Sequence, residues 1–457
     1  MRLCLLPADP LVSIALNGFT VLRPLHQLNG TIPTQSISVL TCILTLAKRL
    51  NQRSKACQNT VVKGQKRPIR AAQKPLKRWL HIVDRMWAAP TPRHSFCFAR
   101  CYSRMSVTRA SSILFRVDAN QVVGMGHLMR CLSVADEAAR AGVDCIFACN
   151  DEDALNIVNS RGHRSIALGC DYQCLGPELP RLSGILSDED GVIVVDSYFA
   201  DNKFLESARE IAPTAYFDDF AETPRPTDLL INYNVFASVG EYETIYKNAM
   251  LPRLALGPLY APLRSQFQGL TTYQERNAKS GVLVCVGGSD PERIALRLVR
   301  TLSDNPSLRH ERHFTFMLGA LEPDILELRC MAANCNWLNL REQVDDVADL
   351  MCGFEAAISA SGTTLYELCA CGLPTVAYCL SPDQERPSRA FSEKGAMVYG
   401  GDLRIAGSEY AALIKLSCLL DNPEQMASVS DTASRVVDGH GAERLANEII
   451  NLRELRS

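Results

Sequence analysis

The chain has 457 residues, of which 47% are hydrophobic and 21% charged, and this composition is typical of a folded globular protein. It disfavours collagen-like, disordered and membrane-spanning proteins. The net charge of −2 hides a strong asymmetry, because residues 1–105 carry seventeen Lys and Arg against two acids. That segment has a net charge of +15 and the remainder has −17. Two chemically different segments therefore share the chain.

The basic extension, residues 1–105, has no Glu and no sustained helical or strand period. It is predicted to be irregular or disordered rather than a domain. Its apolar run at 38–47 is far shorter than the roughly 20 residues of a spanning helix. Three interpretations stay open: translation starts at Met105, the segment is a transit peptide, or it is a basic arm for nucleic acid or lipid. The first is favoured because Met105 leads directly into a strand-like run.

From residue 106 onward, short apolar runs alternate with helical stretches, which is typical of parallel α/β sheets covered on both faces. The runs lie at 113–115, 144–148, 191–195, 214–217, 229–232, 282–286, 314–318, 337–338, 356–358, 374–378 and 397–399. The pattern predicts two Rossmann-like, doubly wound domains, residues 106–268 and 279–457, that face each other across a cleft. Ligands of such folds usually bind at the carboxyl ends of the strands.

Cysteine is frequent, with 18 residues, but the cysteines are dispersed and many lie inside apolar runs. This pattern is typical of a reducing compartment, so a cytoplasmic location is predicted. The closest groupings lack partner pairs at zinc-site spacing, and no metal is expected.

The first apolar run leads into a glycine loop and then a helix, predicted from about His127 to Ala141. Gly124 and Gly126 bring bare backbone close to a ligand, although only two of the three dinucleotide-fingerprint glycines are present. His127 would lie on the first helical turn, where a neutral imidazole can accept a proton from water. The alternative is that His127 only caps the helix or bonds to the loop.

The second half contains two segments in which an apolar run meets glycine and hydroxyl residues before a helix. The residues are Gly287, Gly288, Ser289 and Asp290 in the first and Ser361, Gly362, Thr363, Thr364 and Glu367 in the second. Free N–H groups at a helix start suit a diphosphate, and Glu367 is placed to bind a ribose diol. Alternatively, each segment is an ordinary helix cap. Two such segments in one domain favour a nucleotide-diphosphate site, and no Walker lysine or Gly-x-Ser-x-Gly elbow is present.

Eight motifs occur in order between residue 113 and the last helix. They are Arg116-x-Asp118, Gly124-x-Gly126-His127-x-x-Arg130-Cys131-Leu132, Asp196-x-Tyr198, Phe217-Asp218-Asp219, Asp228-Leu229-Leu230-Ile231-Asn232, Gly257-Pro258-x-Tyr260-Ala261-x-Leu263-Arg264, Gly287-Gly288-Ser289-Asp290-Pro291 and Ser361-Gly362-Thr363-Thr364-x-x-Glu367. Together they resemble the UDP-sugar hydrolases of pseudaminic acid biosynthesis. That family cleaves UDP-2,4-diacetamido-2,4,6-trideoxy-β-L-altropyranose to the free sugar and UDP, and has the two-domain GT-B fold.

The resemblance implies that His127 is the base that activates water and that the two second-domain segments bind UDP. It implies substrate-binding roles for Arg116, Asp118, Gly124, Gly126, Arg130, Tyr198, Asp383 and Gln384. One departure concerns the pair before the next helix, where the family usually has Asn-Gln and this chain has Asp383-Gln384. The implied partner is a UDP-linked sugar, with no cofactor, no nucleic acid and no stable membrane association.

The expected reaction is hydrolysis by direct displacement with inversion at the anomeric carbon. UDP is a good leaving group, so one base and a diphosphate site suffice, and the carboxylate pair of an ordinary glycosidase is not needed. A UDP-sugar-dependent glycosyltransferase of the same fold is the first alternative. A non-catalytic nucleotide-sugar-binding protein is the second.

Overall fold

The computed structural model describes residues 11–16, 19–24, 111–120, 123–186, 190–276, 280–287, 290, 292–319 and 322–455. The chain divides into two compact units, Met1–Arg104 and Met105–Ser457. The described part of the first unit is an antiparallel pair of strands, β1 (Leu11–Leu16) and β2 (Phe19–Pro24). This pair differs from the irregular extension that was predicted, although the Asn17-Gly18 sequence between the strands is a strong hairpin signal. The other residues of the predicted irregular extension lie outside the described residues.

The first domain of the second unit is a parallel seven-stranded sheet with helices between its strands. The strands are β3 (Ser111–Val117), β4 (Asp144–Cys149), β5 (Arg164–Ala167), β6 (Asp190–Asp196), β7 (Thr214–Phe217), β8 (Leu229–Asn232) and β9 (Arg253–Leu256). The helices are α1 (Gly126–Arg140), α2 (Glu152–Ser160), α3 (Leu179–Leu186), α4 (Asn202–Ile211) and α5 (Val239–Ile245). The strand order is β5-β4-β3-β6-β7-β8-β9.

The second domain is a parallel six-stranded sheet of the same design. Its strands are β10 (Val282–Cys285), β11 (Phe314–Leu318), β12 (Leu338–Glu342), β13 (Ala356–Ala360), β14 (Thr375–Cys379) and β15 (Val398–Asp402). Its helices are α6 (Ile294–Asp304), α7 (Ile325–Asn334), α8 (Val347–Cys352), α9 (Thr364–Ala370), α10 (Glu385–Glu393), α11 (Ser408–Leu420), α12 (Pro423–Val436) and α13 (Gly441–Asn451). The strand order is β12-β11-β10-β13-β14-β15.

Both sheets change winding direction at a central strand. β3 lies between β4 and β6, and β10 lies between β11 and β13, so the chain leaves each sheet centre toward opposite edges. The crevice at the carboxyl ends of such strands is where ligands bind in open α/β sheets. The glycine loop before α1 follows β3, and the two predicted UDP segments follow β10 and its neighbour β13, so all three loops lie at these switch points. The predicted α/β class with two doubly wound sheets is confirmed.

The core strands are buried on both faces, which explains why their sequences are continuous apolar runs. In β3 and β13, side chains such as Leu114, Phe115 and Ile358 are less than 2% exposed. Two strands that the sequence analysis missed, β5 and β9, lie at the edges of the first sheet and carry exposed residues. Among the described helices, none has the length and apolar character needed to cross a membrane.

The last helix, α13, packs against α1 of the first domain. Its start is close to the joining segment, which we define as residues 257–276 after β9, because a Cβ on Gly441 would lie 2.1 Å from the carbonyl oxygen of Ala261. Gly439 has φ +80°, and its Cβ would lie 2.1 Å from the carbonyl oxygen of Phe267. Two glycines thus allow the end of the chain to contact the joining segment backbone to backbone.

Candidate active site

His127 lies on the first turn of α1, as its position after the glycine loop predicted. Its Nδ1 is 2.5 Å from Oδ1 of Asp196, the last residue of β6, and both side chains are buried. The pairing of Val117 with Asp196 shows how the adjacent strands β3 and β6 bring this carboxylate beside α1. Within the part of the chain that the structure describes, Nε2 of His127 makes no hydrogen bond. A carboxylate on one ring nitrogen fixes the imidazole and leaves the other nitrogen for chemistry.

Arg130, one turn further along α1, holds this carboxylate in place. Its Nε donates to Oδ2 of Asp196 and its Nη2 to Oδ1, each at 2.6 Å, and its other edge donates to Asp219 at 2.9 Å. The guanidinium lies 4.6 Å from the Phe217 ring centroid and 5.6 Å from that of Tyr233. Burial alone would raise the pKa of Asp196, but Arg130 and His127 outweigh burial and hold that pKa well below its usual range. Asp196 is therefore a permanent anion behind His127.

Two partly exposed aromatic side chains lie near the histidine: Tyr198 contacts it, and Phe220 contacts Tyr198. The Tyr198 ring meets the His127 ring edge-on at 4.5 Å between centroids, and Phe220 lies 5.1 Å from Tyr198. Tyr198 and Phe220 are each 49% exposed. Burial of part of the phenol raises the pKa of Tyr198 above its ordinary value, so its hydroxyl stays protonated at neutral pH. Exposed aromatic faces beside a candidate base suit the apolar face of a sugar ring.

Arg116 and Asp118, predicted to bind substrate, lie in a buried polar network at the end of β3. Arg116 is fully buried and donates to Glu178 at 2.7 Å from two nitrogens, and its third contact is with Asp118. Asn150 donates from Nδ2 to Glu178 at 3.0 Å and to Asp118 at 3.4 Å. Arg116 and Asp118 therefore both bond to other protein groups, and their network holds the end of β3 from which the next loop starts.

The loop between that network and α1 is open. Gly124 has φ +79° and donates its N–H to the carbonyl oxygen of Asn120 at 2.7 Å. A Cβ added to Gly124 or Gly126 would meet no protein atom within 4 Å. The space beside these two glycines is therefore not filled by the described residues, and their contact with a ligand stays a prediction.

The first predicted UDP segment follows β10. Gly287 is exposed with φ +95°, while Gly288 and Ser289 lie outside the described residues. Asp290 is fully buried and accepts the N–H groups of Ile294 at 2.8 Å and Ala295 at 2.7 Å. Asp290 thus satisfies the first two N–H groups of α6, which begins at Ile294. The protein's own carboxylate occupies N–H groups that the sequence analysis assigned to a diphosphate.

The second predicted UDP segment follows β13 and is more accessible. Gly362 and Thr363 are exposed and Thr364 is partly buried, whereas Ser361 is buried and donates to the Tyr378 carbonyl oxygen at 2.7 Å. Thr363 is the residue before α9 but makes no side-chain cap. A Cβ on Gly362 would meet no protein atom within 4 Å. The N–H groups of Ser361 and Gly362 donate within the protein, to Tyr378 at 2.8 Å and Ala360 at 3.1 Å, so the exposed surface of this loop leaves the Thr363 N–H as the group that faces a ligand most directly.

Glu367 lies one turn into α9 and forms an ion pair with the joining segment. Nη2 of Arg264 donates to its Oε1 at 3.1 Å. Burial raises the pKa of Glu367, and the Arg264 guanidinium opposes that rise. Arg264, the last residue of the motif that starts at Gly257, thus fixes the position of the Glu367 carboxylate, which was predicted to bind a ribose diol.

The pair that departs from the family pattern lies just before α10. Asp383 is exposed, whereas Oε1 of Gln384 accepts the N–H of Leu380 at 2.8 Å. A groove of about 470 Å³ lies alongside, lined by Phe236, Pro382, Glu385, Arg386, Arg389, Ala390 and Glu393. Arg386 lies 3.8 Å from the Phe236 ring centroid and donates to Glu241 at 2.9 Å, so α10 contacts the first domain here.

The structure adds residues that the sequence analysis did not assign a role. Tyr233, Glu178 and Asn150 complete the two buried networks, and Asp196 and Asp219 entered only as parts of motifs. A usable signal exists for Asp196 and Asp219, because each follows an apolar strand at its carboxyl end. In the described residues no group of three or more His, Cys, Asp or Glu side chains has a metal-site arrangement.

Comparison with known proteins gives distant relatives. The chain is 23% identical over 282 residues to an uncharacterised protein of Methanocaldococcus jannaschii and 25% identical over 203 residues to the Bacillus subtilis spore coat polysaccharide biosynthesis protein SpsG. These matches cover 57% and 44% of this chain, and 54% and 59% of the two relatives, so the chain spans little more than half their length. It is 21% identical over 291 residues to the Campylobacter jejuni UDP-2,4-diacetamido-2,4,6-trideoxy-β-L-altropyranose hydrolase, covering 62% of this chain and 97% of that protein. No protein-family model matches the chain.

Solved structures resemble the second unit over most of its length. MurG of Acinetobacter baumannii superimposes with a TM-score of 0.54 at 12% identity, covering 74% of this chain and 99% of that one. A glycosyltransferase of Rickettsia africae gives 0.52 at 12% identity, with 76% and 99% covered. The chain has the GT-B fold. The UDP-GlcNAc 2-epimerase of Neisseria meningitidis, bound to UDP-GlcNAc, has a TM-score of 0.53 at 12% identity, with 76% and 100% covered, so this GT-B likeness extends to different reactions.

Proposed function

We propose that the protein hydrolyses the bond between UDP and a sugar, with His127 as the base that activates the attacking water. The carrying observation is the contact of His127 Nδ1 with the buried Asp196 carboxylate. With the Nδ1 proton donated to that carboxylate, the lone pair of Nε2 is left to accept a proton from water. The arrangement supplies a fixed base with an anion behind it, and that anion also stabilises the imidazolium formed on proton transfer.

The chemistry fits a nucleotide-sugar better than an ordinary glycoside. A glycosidase needs one carboxylic acid to protonate the leaving oxygen and one carboxylate to act on the opposite side. Here Asp196 and Asp219 both accept hydrogen bonds from Arg130, and the pKa of Asp196 is held well below its usual range, so this carboxyl beside His127 is not an acid at neutral pH. UDP leaves as a diphosphate and needs no acid, so displacement by one activated water, with inversion, is sufficient.

The specific substrate in this proposal is UDP-2,4-diacetamido-2,4,6-trideoxy-β-L-altropyranose, an intermediate of pseudaminic acid biosynthesis. It is supported by the eight ordered motifs and by the Campylobacter relative, whose match covers 97% of that hydrolase. The exposed Tyr198 and Phe220 rings offer an apolar surface for a deoxygenated, acetamido-substituted sugar. The exposed backbone at Gly362 and Thr363 is the proposed diphosphate contact, and Glu367 the proposed ribose contact.

The test uses the full chain and purified UDP-sugars. UDP-2,4-diacetamido-2,4,6-trideoxy-β-L-altropyranose and UDP-GlcNAc are incubated with the protein, and free UDP, free sugar and anomeric configuration are followed by NMR. Release of UDP and inverted free sugar without an acceptor supports the hydrolase. Release only when an acceptor alcohol is added excludes it.

The second candidate is a UDP-sugar-dependent glycosyltransferase, which the Rickettsia glycosyltransferase match favours. An acceptor hydroxyl would replace water at Nε2 of His127, and the exposed aromatic pair would then contact the acceptor. The same NMR assay, with a panel of acceptor alcohols, separates the two reactions.

A further inference from the structure

Tyr366 connects the two domains from within the proposed UDP helix. It lies on α9 next to Glu367 and is 5% exposed. Its hydroxyl oxygen accepts the backbone N–H of Val235, in the segment after β8 of the first domain, at 3.3 Å. Its ring meets that of Phe391 on α10 edge-on, with centroids 5.1 Å apart. A residue beside the proposed ribose contact is therefore anchored on the backbone of the other domain.

Tyr233 continues this connection toward the candidate base. Its ring packs edge-on against Tyr366 with centroids 5.3 Å apart, and its hydroxyl accepts a hydrogen bond from Nη1 of Arg130 at 3.2 Å. Arg130 holds Asp196, and Asp196 holds His127. Burial raises the pKa of both tyrosines, so each phenol stays neutral at physiological pH.

The contacts form a continuous path, from Tyr366 through Tyr233, Arg130 and Asp196 to His127. Every link is a packed ring or a hydrogen bond between buried side chains, and no exposed flexible group interrupts it. Chains of packed side chains and hydrogen bonds of this kind can carry energetic coupling between two sites. The hydrogen bond from the Val235 N–H holds the segment that carries Tyr233 against Tyr366, and so maintains the ring contact through which a shift of α9 would reach the first domain.

We infer that Tyr366 and Tyr233 are positioning residues that couple occupancy of the UDP loop before α9 to the orientation of His127. Binding of a diphosphate at Gly362 and Thr363 would set α9, and the tyrosine pair would transmit that setting to Arg130. The inference rests on the proposed function where turnover is measured. The effect on the orientation of His127 can be measured with UDP alone. Water activation would thereby be tuned to a bound nucleotide.

The test compares Tyr366→Phe with wild type in the full chain. The substitution keeps both aromatic rings and removes the acceptor of the Val235 N–H, so the segment that carries Tyr233 is no longer held on Tyr366. UDP affinity is measured by calorimetry, turnover by NMR, and the His127 imidazole by ¹H–¹⁵N spectra with and without UDP, assigned with His127→Gln. The matched control is Tyr273→Phe, which also removes one tyrosine hydrogen bond to the backbone, at Glu355, 2.7 Å.

In wild type, UDP is expected to shift the His127 imidazole resonances. In Tyr366→Phe the shift should fall by at least half and kcat by about tenfold, with UDP affinity within twofold of wild type. Tyr273→Phe should match wild type in all three. An unchanged His127 shift in Tyr366→Phe, or no shift in wild type, overturns the coupling even if the protein is a hydrolase. A shift that depends on Tyr366 in a protein that cleaves no UDP-sugar supports the coupling and overturns the proposed function alone.

Discussion

Arg130 donates two hydrogen bonds to the Asp196 carboxylate, each 2.6 Å long, while Oδ1 of Asp196 lies 2.5 Å from Nδ1 of His127. One carboxylate therefore serves a cation and an imidazole at once. Arg130 Nη2 also lies 3.0 Å from the same imidazole nitrogen, so the three side chains form one cluster rather than two pairs. Changes to any member are expected to act on the other two.

Asp196→Asn is expected to reduce turnover about 10³- to 10⁴-fold. The amide keeps the shape of the carboxylate but can donate to Nδ1, which would place the imidazole proton on Nε2 and remove the base. Steady-state release of UDP is the measurement. The control is Asp136→Asn on α1, the helix that carries His127. The carboxylate of Asp136 pairs with Arg161 and His163. Turnover near that of wild type in folded Asp196→Asn would contradict the role of Asp196.

The same residue predicts how stability depends on pH. Because the pKa of Asp196 is held far below its unfolded value of about 3.9, its stabilising effect is complete above that value and is lost as pH falls toward the folded-state pKa. The melting-temperature difference between wild type and Asp196→Asn should therefore be largest near pH 7 and shrink between about pH 5 and pH 3. Thermal unfolding in a pH series measures it. A difference that grows on acidification would show that Asp196 is not held as an anion.

His127→Gln is expected to lower kcat by 10²- to 10⁴-fold, the usual contribution of a general base, while UDP binds within twofold of wild type. Glutamine keeps a polar group at Asp196 but does not accept a proton from water. The control is His163→Gln, which removes another histidine paired with an aspartate, at 2.7 Å from Asp136. Calorimetry and NMR turnover are the measurements. Retained turnover in a folded His127→Gln protein removes His127 from the mechanism.

Much of the fold could be predicted from the sequence because strands that are buried on both faces are continuous apolar runs, which are easy to recognise. β7 and β8 are found at 214–217 and 229–232, as predicted. The edge strand β5 was missed because Arg164–Ala167 has too few apolar residues to form a run, and β9 was missed although it ends in Leu254-Ala255-Leu256. The order of strands, and hence which loops meet, is not written in any local pattern.

The candidate site shows the same division. The place of His127 at the start of α1 follows from local glycine and helix signals, but its contact with Asp196 joins residues 69 positions apart and depends on β6 lying next to β3. The predicted substrate role of Arg130 came from its motif, and the structure shows its donors engaged by Asp196 and Asp219. Local spacing cannot tell a ligand contact from a buried partner.

Arg116→Met is expected to destabilise the first domain by about 3–5 kcal/mol, because it leaves Glu178 and Asp118 as buried carboxylates without their cation. The shift of the denaturant midpoint measures the loss. Arg329→Met is the control: its pair with Glu342 is exposed, so the midpoint should not move. Equal midpoints for the two variants would show that the Arg116 network does not support the fold.

Gly362→Ala is expected to weaken UDP binding by at least about tenfold while leaving the melting temperature within about one degree of wild type. A Cβ at this position meets no protein atom within 4 Å, so the substitution has no steric cost in the free protein and acts only on what occupies the space above the loop. Gly441→Ala is the opposite case, because its Cβ would lie 2.1 Å from the carbonyl oxygen of Ala261 and must displace backbone. That variant should melt well below wild type. If folded Gly362→Ala bound UDP with wild-type affinity, the diphosphate contact would have to lie away from the loop before α9.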